Sequence, residues 1–267
     1  MKKVVLITGG SSGIGKSVGE LLTQNGFKVY GTSRNPDKIK NHPFHLIALD
    51  VNNKESILNA VDKIITAEGN IDILINNAGM GITGPIEETP TDEMRNVFET
   101  NFFGPIEVMK AVLPQMRKQH SGLIINVTSI AGYMGLPFRG IYSATKGALE
   151  IVTEAIRMEV KGFGIKVTNV APGDFATNIA SGRYHTPVFE SSPYKENYQK
   201  NLNLMDSHVD SGNNPIEMAE AIFNIINARK PKIHYKVGDF LQKFSILLKR
   251  ILPDKVYEKL LMNHYKL

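Results

Sequence analysis

Cysteine is absent from this 267-residue chain, which excludes disulfides, thiolate chemistry and cysteine-built zinc sites while leaving the redox compartment open. Long apolar runs are missing too: no stretch reaches the ~18 residues of a membrane span. The opening Met1-Lys2-Lys3, followed by Val4 to Ile7, resembles a secretory leader only briefly, because Gly9-Gly10 ends the run too early for an h-region. The cytoplasm is therefore the expected location. No arginine-rich arm, internal repeat or low-complexity tract occurs. The formal charge of +5 is modest and dispersed, so nucleic acid is not an expected partner.

What is present suits a globular fold, with 42% hydrophobic and 21% charged residues. Short β-branched runs at 4–7, 27–31, 44–49, 71–75, 122–127 and 165–170 read as buried strands. Helical spacing fits 14–22, 54–67, 91–119 (with a break near Gly104-Pro105), 142–161 and 215–228. A last strand is expected over 232–237. Apolar strands alternating with helices indicate an α/β, Rossmann-type doubly wound parallel sheet of about seven strands, with helices on both faces. The pattern fails over 174–214, a polar stretch expected to be an irregular lid. The expected organisation is a catalytic domain over 1–238 and a C-terminal helical extension of it over 239–267.

Between the first strand and the first helix lies Thr8-Gly9-Gly10-Ser11-Ser12-Gly13-Ile14-Gly15. Glycines let the backbone approach a pyrophosphate closely, and the helix N-terminus behind them favours an anion. Strand two ends in Tyr30-Gly31-Thr32-Ser33-Arg34. It lacks the acid that would hold a ribose 2′-hydroxyl, and Arg34 offers a planar fork of donors to a 2′-phosphate. The cofactor expected from these residues is NADP(H).

Tyr142-Ser143-Ala144-Thr145-Lys146 places a phenol and an ammonium on one helical face. A free phenol, pKa ~10, relays protons poorly at neutral pH, and an ammonium held beside it favours the phenolate. The Tyr-x-x-x-Lys pattern alone is common. Its weight comes from the fifth strand ending in Val127-Thr128-Ser129, which brings a hydroxyl to the carboxyl edge of the sheet, where ligands of such folds bind.

Taken in order, these pieces resemble the short-chain dehydrogenase/reductase family in its single-domain branch. The likeness spans about 3–238 and adds Asp50-Val51, Asn76-Asn77-Ala78-Gly79, Asn101 and Pro172-Gly173 with Thr177. The resemblance implies hydride exchange between nicotinamide and a carbonyl or alcohol. Tyr142 would be general acid/base, Ser129 would orient the substrate oxygen, and Lys146 would grip the nicotinamide ribose. Asn101 would hold a water on a proton path. Cofactor contacts would come from Gly9, Ser11, Ser12, Gly13, Ile14, Gly15, Arg34, Asp50, Val51, Asn77, Ala78, Gly79, Tyr142, Lys146, Pro172, Gly173 and Thr177. No metal is implied.

Residues 30–39 and the surroundings of Tyr142 resemble members of the 17β-hydroxysteroid and retinol dehydrogenase-like group, which suggests a lipophilic steroid, retinoid or acyl-like substrate. Phe175, Tyr184, Phe189 and Phe138 are candidates for its apolar pocket. Family likeness also implies a homodimer or homotetramer through the helices 103–119 and 142–161. In the tail, Phe240, Leu241, Phe244, Leu247, Leu248, Ile251 and Leu252 are spaced as an amphipathic helix beside Lys243, Lys249 and Arg250. Such a helix can lie on a membrane, but packing on its own domain or a sister subunit is the favoured expectation. A non-catalytic NADP(H) sensor of the same fold is the main alternative; it would have a damaged catalytic set, and here the set is whole. A sugar-nucleotide epimerase would need a larger C-terminal region.

Overall fold

The computed structural model describes residues 2–175, 182–210 and 212–267. In chain order, the first half holds β1 (Val4–Ile7), α1 (Gly13–Gln24), β2 (Lys28–Ser33), β3 (His45–Ala48), α2 (Lys54–Glu68), β4 (Ile73–Asn76), β5 (Ile82–Thr83) and α3 (Thr91–Phe98). A π-helical turn, Glu99–Phe103, leads into α4 (Gly104–Gln119). Then follow β6 (Gly122–Val127), α5 (Gly140–Glu159), β7 (Ile165–Pro172), β8 (Tyr184–His185), α6 (Lys195–Asp210), α7 (Pro215–Asn227), β9 (His234–Val237), α8 (Phe240–Ile251) and α9 (Asp254–Tyr265).

Seven strands form one parallel sheet in the order β3-β2-β1-β4-β6-β7-β9. Side chains on a strand alternate faces, and both faces are covered. Leu6, Leu74, Ile124 and Val167 pack against Ile57, Val61, Val108 and Met116 of α2 and α4. Val5, Ile7, Ile73 and Ile75 point the other way, onto Val18 and Leu22 of α1 and Met218 and Ile222 of α7. Burial on both faces is why β1 reads as an unbroken apolar run rather than an alternating one. The chain leaves β1 toward β2 on one side and returns through β4 on the other, so a crevice opens beyond the carboxyl ends of those strands.

Three expectations need correction. The break near Gly104-Pro105 is the π turn, and the helical path continues through Gly104 (φ −53°, ψ −55°); a proline in the first turn of α4 gives up an N–H that would lack an intrahelical partner anyway. The stretch 174–214 is not irregular throughout. It carries the 16-residue α6, and β8 pairs in parallel with β5. That helix escapes a periodicity reading because few of its described side chains are buried, chiefly Tyr198, Asn201 and Met205. Phe175, expected beside the substrate, lies instead in the core on the α1/α7 side of the sheet.

The tail packs on the body. Ile246 of α8 and Tyr257 of α9 join Ile130, Met134 and Ala171 in one apolar cluster, while Phe240, Leu241 and Ile251 remain largely exposed. Among the described residues, no helix is long and apolar enough to cross a membrane.

Candidate active site

The turn after β1 is built by its glycines. Gly9 (φ +65°) and Gly13 (φ +52°) adopt backbone angles that other residues rarely tolerate. A Cβ on Gly15 would sit 2.3 Å from the Gly9 carbonyl oxygen, so this glycine shapes the loop from within. The neighbouring strand staples the turn in place. Thr8 Oγ1 accepts from the backbone N–H groups of Asn77 (2.9 Å) and Ala78 (3.0 Å). In return, Asn77 Nδ2 donates to the carbonyls of Thr8 (3.0 Å) and Gly9 (3.1 Å). Ser12 precedes α1 without a side-chain cap, so the first N–H groups and the positive end of that helix are left to an anion.

Beyond this turn lies a cleft of about 610 Å³ along the carboxyl edge of the sheet. It gathers Gly9, Ser11, Ser12, Gly13, Ile14, Arg34, Asp50, Val51, Asn77, Ala78, Gly79, Tyr142, Lys146 and Pro172. Gly15, Gly173, Asn101 and Ser129 stand outside its lining. Thr177 lies outside the described residues. Arg34 is exposed at the far end, and among the described residues no ion pair engages its guanidinium. The sequence reading missed Thr32, whose Oγ1 accepts from Gly9 N at 3.2 Å. It also missed Asn52, which lines the cleft and donates to Thr100 Oγ1 at 3.0 Å.

At the other end, α5 carries Tyr142 and Lys146 into the cleft. Lys146 is 5% exposed, and its ammonium donates to the Val127 carbonyl at 3.0 Å. Burial holds the lysine below its ordinary pKa, with attraction to nearby Tyr142 opposing that. Asn101 sits fully buried on the π turn, an irregularity often found at functional sites. Its Oδ1 accepts from Met80 N (2.9 Å), and its Nδ2 donates to Met80 O (2.8 Å) and Thr145 Oγ1 (3.2 Å). Asn101 thus ties the chain after β4 to α5. A Cβ on Gly79 would lie 3.2 Å from Asn101 Oδ1 and 3.4 Å from Lys146 Nζ, so the glycine leaves room between them.

Ser129 Oγ accepts from Ala131 N at 3.2 Å, which leaves its O–H to donate. Its neighbour Thr128 lines the cleft and donates to Glu150 Oε1 at 3.0 Å. Glu150 is 6% exposed, and burial pushes its carboxyl up to about 7, against the nearby Tyr133 hydroxyl and the hydrogen bond from Thr128, which lower it. The sequence did hold a signal for Glu150, one turn beyond Lys146 on the same helical face. The aromatics expected around the substrate, Phe138, Tyr184 and Phe189, stand outside the cleft lining; Phe138 stacks obliquely on Tyr198, with ring centroids 5.3 Å apart, and Tyr184 lies on β8. Phe189 is 49% exposed. Among the described residues, no cluster of three or more His, Asp or Glu could hold a metal ion.

A family model described as "short chain dehydrogenase" matches residues 3–187, and the chain belongs to that family. A "3-ketodihydrosphingosine reductase" of Bacteroides thetaiotaomicron is 39% identical over 264 residues, 98% of either chain. Among solved structures, a short-chain dehydrogenase from Streptomyces avermitilis superposes with a TM-score of 0.83 at 32% identity, covering 100% of this chain and 96% of that one. ElxO, solved with NADP bound, gives 0.71 at 29% identity over 89% and 97%. A Burkholderia phymatum family member in complex with NAD gives 0.79 at 25% identity over 93% of each. The family's structures thus hold nicotinamide dinucleotides of both kinds.

Proposed function

We propose that this chain is an NADPH-dependent reductase of a lipophilic ketone, with Tyr142 as the proton donor. One observation carries the reading: Tyr142 and Lys146 share a single cleft with the glycine turn and Arg34. The residues fit a dinucleotide. Gly9 and Gly13 keep the turn open to a pyrophosphate, the uncapped start of α1 attracts it, and the exposed Arg34 suits a 2′-phosphate. Asp50 and Val51 would flank the adenine, and Asn77 to Gly79 would support the adenosine end. Pro172, Gly173 and Thr177 would line the nicotinamide side. Bound there, the dinucleotide supplies the hydride.

The remaining chemistry belongs to the protein. Ser129 donates its O–H to the substrate oxygen, and Tyr142 Oη passes a proton to it. The Lys146 ammonium stabilises the phenolate left behind and holds the nicotinamide ribose. Asn101, fixed between Met80 and Thr145, orders the path by which Tyr142 is reprotonated. The lipophilic substrate class is supported by the name of the Bacteroides relative. Self-association through residues 103–119 and α5 fits the exposure of Phe103, Ile151 and Met158, and 239–267 is read as an extension of the same domain.

The test is NADPH consumption across 3-ketodihydrosphingosine, ketosteroids, retinal, 3-oxoacyl thioesters and simple aldehydes. Turnover of a long-chain or polycyclic ketone is expected. Reduction of simple aldehydes only would refute the lipophilic class, and no turnover of any carbonyl would favour the sensor reading.

A further inference from the structure

We propose that Arg139 is a positioning residue for Tyr142, held in place by Tyr265 of the C-terminal helix, so that the extension is a working part of the active site. The proposal rests on Tyr142 being the proton donor. Arg139 immediately precedes α5, where its backbone is pinned on both sides: its N–H donates to Leu136 O (3.1 Å), and its carbonyl accepts from Ser143 N (2.9 Å). Its guanidinium lies over the Tyr142 ring, with Cζ 5.5 Å from the centroid. A guanidinium on an aromatic face is attracted by the ring quadrupole. The attraction grows once the phenol has given up its proton and the ring carries negative charge. Proton donation is therefore favoured over the resting state, the kind of difference that raises kcat.

Burial disfavours the charged form of Lys146, so a second cation beside Tyr142 adds to what the lysine supplies. An arginine keeps its charge at any working pH. The partly buried Arg139 side chain has many rotamers, and something must select one. That partner comes from the far end of the chain. Tyr265 on α9 is 8% exposed, and its phenol lies beside the Arg139 side chain, close enough for the two to interact electrostatically.

The same extension touches the site at a second point. Gln242 Nε2 donates to Asp174 Oδ2 at 2.9 Å, and a Cβ on Gly173 would fall 1.8 Å from Gln242 Oε1. Gln242 thus fills the space above the loop expected beside nicotinamide. Tyr257 OH meets Met134 Sδ at 2.8 Å and fixes α9 on the loop after Ser129. Three residues of the tail therefore grip three segments that frame Tyr142.

The experiment measures kcat and KM of the full-length enzyme with NADPH and 3-ketodihydrosphingosine, or with the best ketone of the screen above. Arg139→Gln is expected to lower kcat about tenfold with KM for NADPH unchanged, and Arg139→Lys to recover most of that loss. Tyr265→Phe, which removes one oxygen, is expected to lower kcat about threefold. The double variant is expected to be no worse than Arg139→Gln alone, since both changes remove one linked interaction. Unchanged kcat in Arg139→Gln, losses that simply multiply, or a loss confined to KM for the ketone would each overturn the proposal. Should Arg139→Gln fail to fold, unchanged kcat in Tyr265→Phe would overturn it equally. A wild type inactive on every carbonyl, or full activity in Tyr142→Phe, would instead strike at the reading of Tyr142.

Discussion

Lys146 Nζ donates to the carbonyl of Val127, the last residue of β6, at 3.0 Å. The ammonium one helical turn past Tyr142 is thereby fixed to the sheet edge where the substrate is expected. Removing it does two things at once. Lys146→Met should lower kcat about a hundredfold or more through loss of the cation. It should also cost about 1–3 kcal/mol of stability, because a buried carbonyl loses its donor. Steady-state kinetics and urea unfolding read the two effects separately, and unchanged kcat would take Lys146 out of the proton chemistry.

On the proposed reading, Arg34 decides the dinucleotide by charge. Arg34→Glu should raise KM for NADPH about ten- to a hundredfold, the worth of a charge-assisted bond to a phosphate. KM for NADH should change little or fall. Equal losses for both would remove Arg34 from phosphate recognition.

Glu150 sets a pH dependence of stability. Its folded pKa, about 7, is raised above the ordinary carboxylate value by burial. Between the ordinary carboxylate range and pH ~7, the unfolded chain has released this proton and the folded chain has not. Stability therefore falls as pH rises through that window and levels off above it, a loss of about 3 kcal/mol. Glu150→Gln imitates the protonated form. Its melting temperature should match the wild type near pH 4 and exceed it near pH 8, and parallel pH curves for the two proteins would disprove the assignment.

Gly15 is fixed by space alone. In Gly15→Ala the new methyl would stand 2.3 Å from a backbone oxygen and 2.5 Å from Asn77 Nδ2, so the loop must deform. A stability loss of about 1–3 kcal/mol and weaker dinucleotide binding are expected together in thermal and fluorescence titrations. Wild-type values in both would show that the turn tolerates a side chain.

Much of this was legible in the sequence for physical reasons. Val5, Leu6 and Ile7 are buried on both faces of the sheet, so the apolar run itself marks a parallel strand. Short loops after β1, β2 and β4 bring Gly9, Arg34 and Asn77 to one edge, so their order along the chain already describes the cleft. Other features left little local trace. The helix α6 is polar and few of its described side chains are buried, and β5 and β8 are two residues each. Phe175 looked available for substrate because nothing local shows which face of the sheet it joins. The contacts of Gln242 with Asp174 and of Tyr265 with Arg139 bridge distant parts of the chain, and no spacing rule anticipates them.

Single-turnover reduction of 3-ketodihydrosphingosine, or of the best ketone found, by Tyr142→Phe under saturating NADPH probes the chemistry most directly, with NADPH binding followed by its fluorescence. The expected result is near-complete loss of the chemical step, at least about a hundredfold, with dinucleotide affinity held near the wild-type value. Reduction at the wild-type rate would contradict the proton-donor role of Tyr142, and with it the catalytic reading of the cleft.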